Sequence, residues 1–195
     1  MFIGVKMTRT WITGYRNYEI GVFNNNDTKL KVIKRALKNE ITNLIENGCD
    51  WLITGGQLGT EQWVIEIVHE LKKEYPDQFQ LAVIVPFRNF GKNWNETNYG
   101  RYQQLISSAD FFASTSQRDY ESPQQLKNYQ YFMLTHTDKA LFLYDTENEG
   151  KPIFDYKAAL KYQNQNNYPI QLIEMDDLQD VAAEMAEENK SNHDI

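Results

Sequence analysis

Glycines and one acid crowd into the segment Thr54-Gly55-Gly56-Gln57-Leu58-Gly59-Thr60-Glu61, directly after an apolar run and directly before an amphipathic one. Glycines let a backbone turn tightly and let a ligand come close to it, and the helix that follows offers N–H groups to an anion. The loop Gly55, Gly56, Gln57 and Gly59 therefore reads either as a phosphate cradle or as a tight strand-to-helix turn with no further task. It lacks the Lys-Ser/Thr ending of a P-loop, and its spacing is not the dinucleotide fingerprint GxGxxG.

Glu61 falls in the first helical turn, where the helix dipole favours a carboxylate for its own sake. The functional alternative is a carboxylate that accepts ribose hydroxyls or takes part in acid–base chemistry beside the loop. Arg118 follows another strand and precedes Tyr120, Glu121 and Pro123. It is either a solvated loop charge or a guanidinium that clamps a phosphate, and in the second reading it pairs in function with Glu61. Tyr15, Phe87 and Trp94 are aromatic candidates for stacking on a base. The histidines His69, His136 and His193 are far apart and the single cysteine is Cys49, so no zinc-type spacing and no disulfide exists; no metal site is expected, and Cys49 reads as a core residue.

Those residues need a scaffold, and hydropathy supplies one. Compact apolar runs at 11–14, 51–54, 81–85, 111–114, 140–144 and 170–173 predict strands. Between and after them, 27–46, 60–74, 95–108, 123–135, 155–165 and 176–188 predict helices, with Asp27 as a cap, Asn47-Gly48 as a stop and Pro123 suited to a first turn. The alternation predicts a three-layer α/β fold of the Rossmann-like kind, a parallel sheet of about six strands with helices on both faces. Residues 88–97 predict a long loop after the third strand. In such a sheet ligands bind outside the carboxyl ends of the strands. Thr13, Gly14 and Tyr15, the glycine loop with Glu61, Pro86 and Phe87, and Thr115, Arg118 and Tyr120 all follow strands, and together they form the expected ligand-binding edge.

The chain has 195 residues, 41% hydrophobic, which suits one domain spanning 1–195 with a polar, acidic tail expected to fray from about Glu184. Twenty basic against 27 acidic residues give a net charge of -7, which opposes binding to nucleic acid through its phosphate backbone while leaving room for a local pocket for one small anion. No apolar run has the length of a signal core or a membrane span, so a cytoplasmic protein without a membrane partner is expected.

The runs WITGYRNYEIGVF, WLITGGQLGTEQW, AVIVPFRNFGKNW and TSQRDYESPQQLKNYQYF, in that order from about Met7 to Asp177, resemble the YpsA-like family of small bacterial proteins. That family lies in the SLOG superfamily of Rossmann-like domains, with the DNA-processing protein DprA/Smf and the LOG-type nucleotide phosphoribohydrolases. The resemblance implies a nucleotide-derived small-molecule ligand such as NAD or ADP-ribose, a regulatory role linked to cell division or stress response, protein partners in division, and a chain able to form a homo-oligomer. It carries the glycine motif onto Gly55, Gly56 and Gly59, the acidic position onto Glu61, the first-strand motif onto Thr13, Gly14 and Tyr15, and a second motif onto Arg118, Tyr120, Glu121, Pro123 and Asn128. LOG enzymes use PGGxGTxxE; here Thr54 stands in place of the proline, two residues separate Gly56 from Gly59, and Glu61 comes earlier. Ligand binding is therefore the first reading. A nucleotide hydrolase of the phosphoribohydrolase type is the second, and a protein-interaction module the third. By the same resemblance Met7 is the expected initiator, with residues 1–6 preceding the family start.

Overall fold

In the computed structural model of the protein, residues 7–191 are described. Positions 1–6 ahead of Met7, and the end of the tail with His193, lie outside them. Six strands form: β1 (Arg9–Gly14), β2 (Trp51–Thr54), β3 (Gln80–Val85), β4 (Phe111–Ser114), β5 (Lys139–Leu143) and β6 (Ile170–Ile173). Six α-helices accompany them: α1 (Thr28–Glu46), α2 (Thr60–Glu74), α3 (Glu96–Ile106), α4 (Gln124–His136), α5 (Ile153–Gln163) and α6 (Met175–Ser191). A short 3-10 helix, Asn17–Ile20, follows β1. Strand β1 starts at Arg9 rather than Trp11 because Arg9 and Thr10 pair with Trp51 and Leu52. Helix α5 starts earlier than hydropathy suggests, at Ile153, since Pro152 has a helix-ready φ of -60° at its N-cap.

All strand pairs are parallel and the order is β4-β3-β2-β1-β5-β6. The chain winds outward from β1 to β4 and then jumps back to place β5 on the other side of β1. Right-handed crossovers then put the helices after β1–β3 on one face and those after β4 and β5 on the other. The contacts agree: α6, α1, α2 and α3 touch in that sequence as one layer, while α4 and α5 pack on each other. Central strands buried on both faces read as nearly continuous apolar runs, and Trp11, Ile12, Leu52, Val83, Leu141 and Phe142 form the sealed middle. Strand β4 is the exception, with Phe111 and Phe112 about half exposed at the open edge.

Cys49 is buried and lies 3.2 Å from the Thr10 hydroxyl, as a core residue should. The helix α6 continues past Glu184 through Ser191. The reason is local: α6 lies along α1, Leu178 and Val181 pack against the core, and Arg35 reaches Glu188 at 2.9 Å. Among the described residues no helix is long and apolar enough to cross a membrane.

Candidate functional site

The β2–α2 loop does something specific with its backbone. Gly59, the N-cap of α2, has φ +99°, and a Cβ there would lie 2.5 Å from Asn17 N and 2.6 Å from Tyr15 O. Only glycine lets the loop close against the end of β1. Thr60 then donates its N–H and its hydroxyl to Tyr15 O, at 3.0 and 2.8 Å. One turn into the helix, Glu61 folds back into the loop. Its carboxylate accepts the Gln57 N–H at 2.7 Å and the Thr13 hydroxyl at 2.8 Å. A side chain at Gly55 would collide with that carboxylate, and one at Gly56 with the Tyr102 ring. The Glu61 carboxylate thus lies directly against the backbone of the loop.

Above this loop opens a cavity of about 490 Å³, a size typical of small-molecule sites. It lies over the carboxyl ends of β1, β2 and β3, beside the place between β1 and β5 where the strand order reverses and where the crevice rule for parallel sheets looks for ligands. One wall comes from the strand ends: Thr13, Gly14, Gly55, Gly56, Gln57 and Glu61. Facing it, α4 and α5 contribute Leu126, Lys127, Tyr129, Gln130, Phe154 and Asp155. Pro86 and Phe90 add apolar surface, and Arg16, Pro123, Lys151 and Pro152 complete the lining.

The electrostatics differ with depth. Burial pushes the Glu61 carboxyl up from its ordinary value, against the opposing pull of the Gln57 N–H, the Thr13 hydroxyl and the Arg16 charge. Asp155 is pushed further, to about 7, chiefly by burial and with the Glu61 charge adding to it; the Gln130 amide, 2.7 Å away, and Arg16 oppose. Tyr129 is buried between the two acids, which with desolvation keeps its hydroxyl protonated. The deep part of the cavity therefore offers protonated and hydrogen-bond-accepting oxygens, and the mouth offers cations. Among the described residues no set of three or more His, Cys, Asp or Glu groups could hold a metal.

The sequence-derived candidates divide. Thr13, Gly14, Gly55, Gly56, Gln57, Glu61 and Pro86 come together at the cavity. Gly59 acts from behind, by joining the loop to β1. Tyr15 is buried, with its hydroxyl donating to Asp145 O and Asn148 O and accepting the Asp145 N–H, so it ties the ends of β1 and β5 rather than stacking on a base. Phe87 packs on Phe90 and Tyr120, and Trp94 on Phe90 and Tyr102. Thr115 donates to Pro86 O at 3.0 Å. Arg118 is 77% exposed, pairs with Glu121 at 3.4 Å, and does not join Glu61 at the cavity. Tyr120 is also outside it, half exposed.

Sequence reasoning missed Lys127, Tyr129, Gln130, Lys151, Phe154 and Asp155, while Arg16 directly follows the first-strand motif Thr13-Gly14-Tyr15 at the expected edge. A signal existed for some of them. Asp155 occupies the first turn of α5 as Glu61 occupies that of α2, so carrying the strand-end rule one helical turn further would have reached Lys151 and Asp155.

Curated relatives cover nearly the whole chain. A UPF0398 protein of Levilactobacillus brevis is 54% identical over 186 residues, 95% of this chain and 97% of its own length. UPF0398 proteins of Lactiplantibacillus plantarum and Lactobacillus acidophilus are 50% and 47% identical over 185 and 187 residues, covering 95% of this chain and 97% and 99% of theirs. The sequence model of the YspA SLOG family matches residues 10–178, from the second residue of β1 into the first turn of α6, and so takes in every strand and every residue of the cavity. With that span matched and that sheet order formed, the chain belongs to the YspA SLOG family.

Proposed function

We propose that the protein binds a nucleotide-derived ligand, of the NAD or ADP-ribose class, in the cavity between the ends of β1–β3 and the helices α4 and α5, and acts as a regulator rather than by turnover. By family resemblance its output lies in cell division or stress response. One observation carries the reading: a 490 Å³ cavity at the switch point joins apolar walls, deep carboxyls and cations at the mouth in a single space. Pro86, Phe90, Leu126 and Phe154 suit a base, and Glu61 and Asp155 suit sugar hydroxyls. Mass spectrometry of small molecules released from natively purified protein, with thermal unfolding in ADP-ribose, NAD and AMP, tests it. A ligand of the folded state raises the Tm by mass action. A broad nucleotide panel at millimolar concentration without any shift would remove the reading.

A second reading, hydrolysis of an N-glycosidic or phosphate bond of a nucleotide, is favoured by the two carboxyls of raised pKa that share the cavity. Chromatography of nucleoside monophosphates incubated with the protein separates the two. Free base from the parent, and none from Glu61→Gln, would select the hydrolase.

A further inference from the structure

We propose that the ligand is a pyrophosphate-bearing nucleotide whose paired phosphates are held at the cavity mouth by Arg16, Lys127 and Lys151. This rests on the reading of the cavity as a nucleotide site and specifies which end of the ligand goes where.

Three of the loop's own donors are already engaged. The Gln57 N–H is bound to Glu61, the Leu58 N–H to the Gln57 side chain at 2.9 Å, and the Thr60 N–H to Tyr15 O. The Glu61 carboxylate already occupies the loop, and a phosphate beside it would meet a like charge in a poorly solvated place. Asp155 and Tyr129 line the same depth and present oxygens, which suit sugar hydroxyls.

The cations are arranged differently. Arg16 follows β1, Lys127 lies in the first turn of α4, and Lys151 directly precedes Pro152 at the start of α5, so three separate elements bring positive charge to one opening. None of the three side chains forms an ion pair among the described residues; the Arg16 guanidinium donates to the Tyr18 hydroxyl at 3.2 Å and its charge acts on Glu61 and Asp155 without a direct contact. In an acidic chain this is a local choice, because Lys34, Lys38, Lys72 and Arg101 each have a carboxylate partner. Three cations from three directions exceed what one phosphate uses, and they fit two linked phosphates that span the mouth. Arginine grips a phosphate bidentately while the lysines act as point charges.

Calorimetric titration decides it, with ADP, AMP and adenosine as one series and GDP, GMP and guanosine as another, on the parent and on the double variant Lys127→Ala with Lys151→Ala. Both lysines are exposed, and unfolding without ligand should give the parent's Tm. In at least one series the diphosphate should bind about tenfold or more tighter than the nucleoside, since charge-assisted contacts to the phosphates are the stronger kind of hydrogen bond. The double variant should lose that preference and keep nucleoside affinity, whereas Glu61→Gln should weaken diphosphate and nucleoside alike. Equal affinity of nucleoside and diphosphate for the parent, or a preference that survives in the double variant, overturns the inference and leaves the nucleotide site standing. If none of the six compounds binds, the site reading itself falls and this inference with it.

Discussion

The wall of the cavity built by the strand ends satisfies its polar groups internally, whereas the wall built by α4 and α5 leaves its own open. On the first, the Glu61 carboxylate, Thr13 hydroxyl and Gln57 N–H are bound to one another, and Gln62 Nε2 donates to Gly56 O at 3.1 Å. On the second, the Lys127 and Lys151 ammonium groups form no ion pair among the described residues, and the one side-chain hydrogen bond to the Asp155 carboxylate comes from Gln130. A network of satisfied buried groups is rigid and costly to disturb. An exposed wall with open donors is cheap to disturb and ready for a ligand. Substitutions on the first wall should therefore act on stability, and those on the second on affinity and pH response.

The largest effect should come from Gly59→Ala. The new Cβ meets backbone atoms of Tyr15, Arg16 and Asn17, which cannot rotate away, and φ +99° is strained for any side chain. Strain of this kind and overpacking each cost about 1–3 kcal/mol, so a loss of roughly 3 kcal/mol, about 6 °C or more in Tm, is expected. A Tm equal to the parent's would mean that the loop is not locked to β1, and the contrast between the walls would fail at its firmest point.

Glu61→Gln comes next. The amide oxygen can keep the Gln57 N–H and the NH₂ can donate to the Thr13 oxygen, but the Thr13 hydroxyl hydrogen then loses its buried acceptor and is in conflict with the new donor. That conflict costs about 1–3 kcal/mol, partly offset because the amide carries no charge to bury. A net loss of about 1 kcal/mol, read from denaturant midpoints, fits a satisfied wall; a gain in stability would show that burying the carboxylate dominates.

Much of the first wall was legible from sequence because glycine at a strand-to-helix turn leaves a local signature, as does an acid in the following helical turn. All six strands and six helices were legible for the same reason, since period and caps are local properties. The second wall was not. Lys127, Gln130 and Asp155 sit in ordinary amphipathic patterns, and only the jump of β5 to the far side of β1 turns them toward the loop. Arg118 differs in the opposite sense. It follows a strand and lies in a motif, yet its side chain turns to Glu121 and does not line the cavity, whereas Pro123 on the same segment does.

A smaller effect should mark Asp155. Its carboxyl is raised from 3.8 to about 7 in the fold, so the folded protein holds a proton that the unfolded chain gives up at lower pH. The stability this contributes is fully present below about pH 3.8 and is lost as pH rises through about 7. Asp155→Asn keeps an oxygen for the Gln130 amide and removes the titration. The variant should melt a few degrees above the parent at pH 8, with the gap closing toward pH 4. A gap of constant size across that range would assign the difference to packing and not to the proton.

The smallest effect sharpens the comparison most, because it should be no effect at all. Arg118→Ala removes a side chain that is 77% exposed and whose one carboxylate partner, Glu121, is itself 56% exposed. Exposed pairs of this kind are worth about 0–1 kcal/mol and are screened by salt, so the Tm should stay within about 0.5 kcal/mol of the parent's stability. The ligand-induced shift should also survive, since Arg118 does not line the cavity while Arg16 does. The informative pairing is thus Arg118→Ala beside Arg16→Ala in one thermal-shift series with ADP-ribose. Both remove one guanidinium from an acidic chain, so any loss due to net charge alone would appear in both equally and would fade with salt over the Debye length, about 8 Å at physiological ionic strength. A loss specific to Arg16→Ala assigns binding to the mouth between β1, α4 and α5. A loss specific to Arg118→Ala would move the phosphate-binding end to the β4 loop, and the open wall of the site would then have to be sought there.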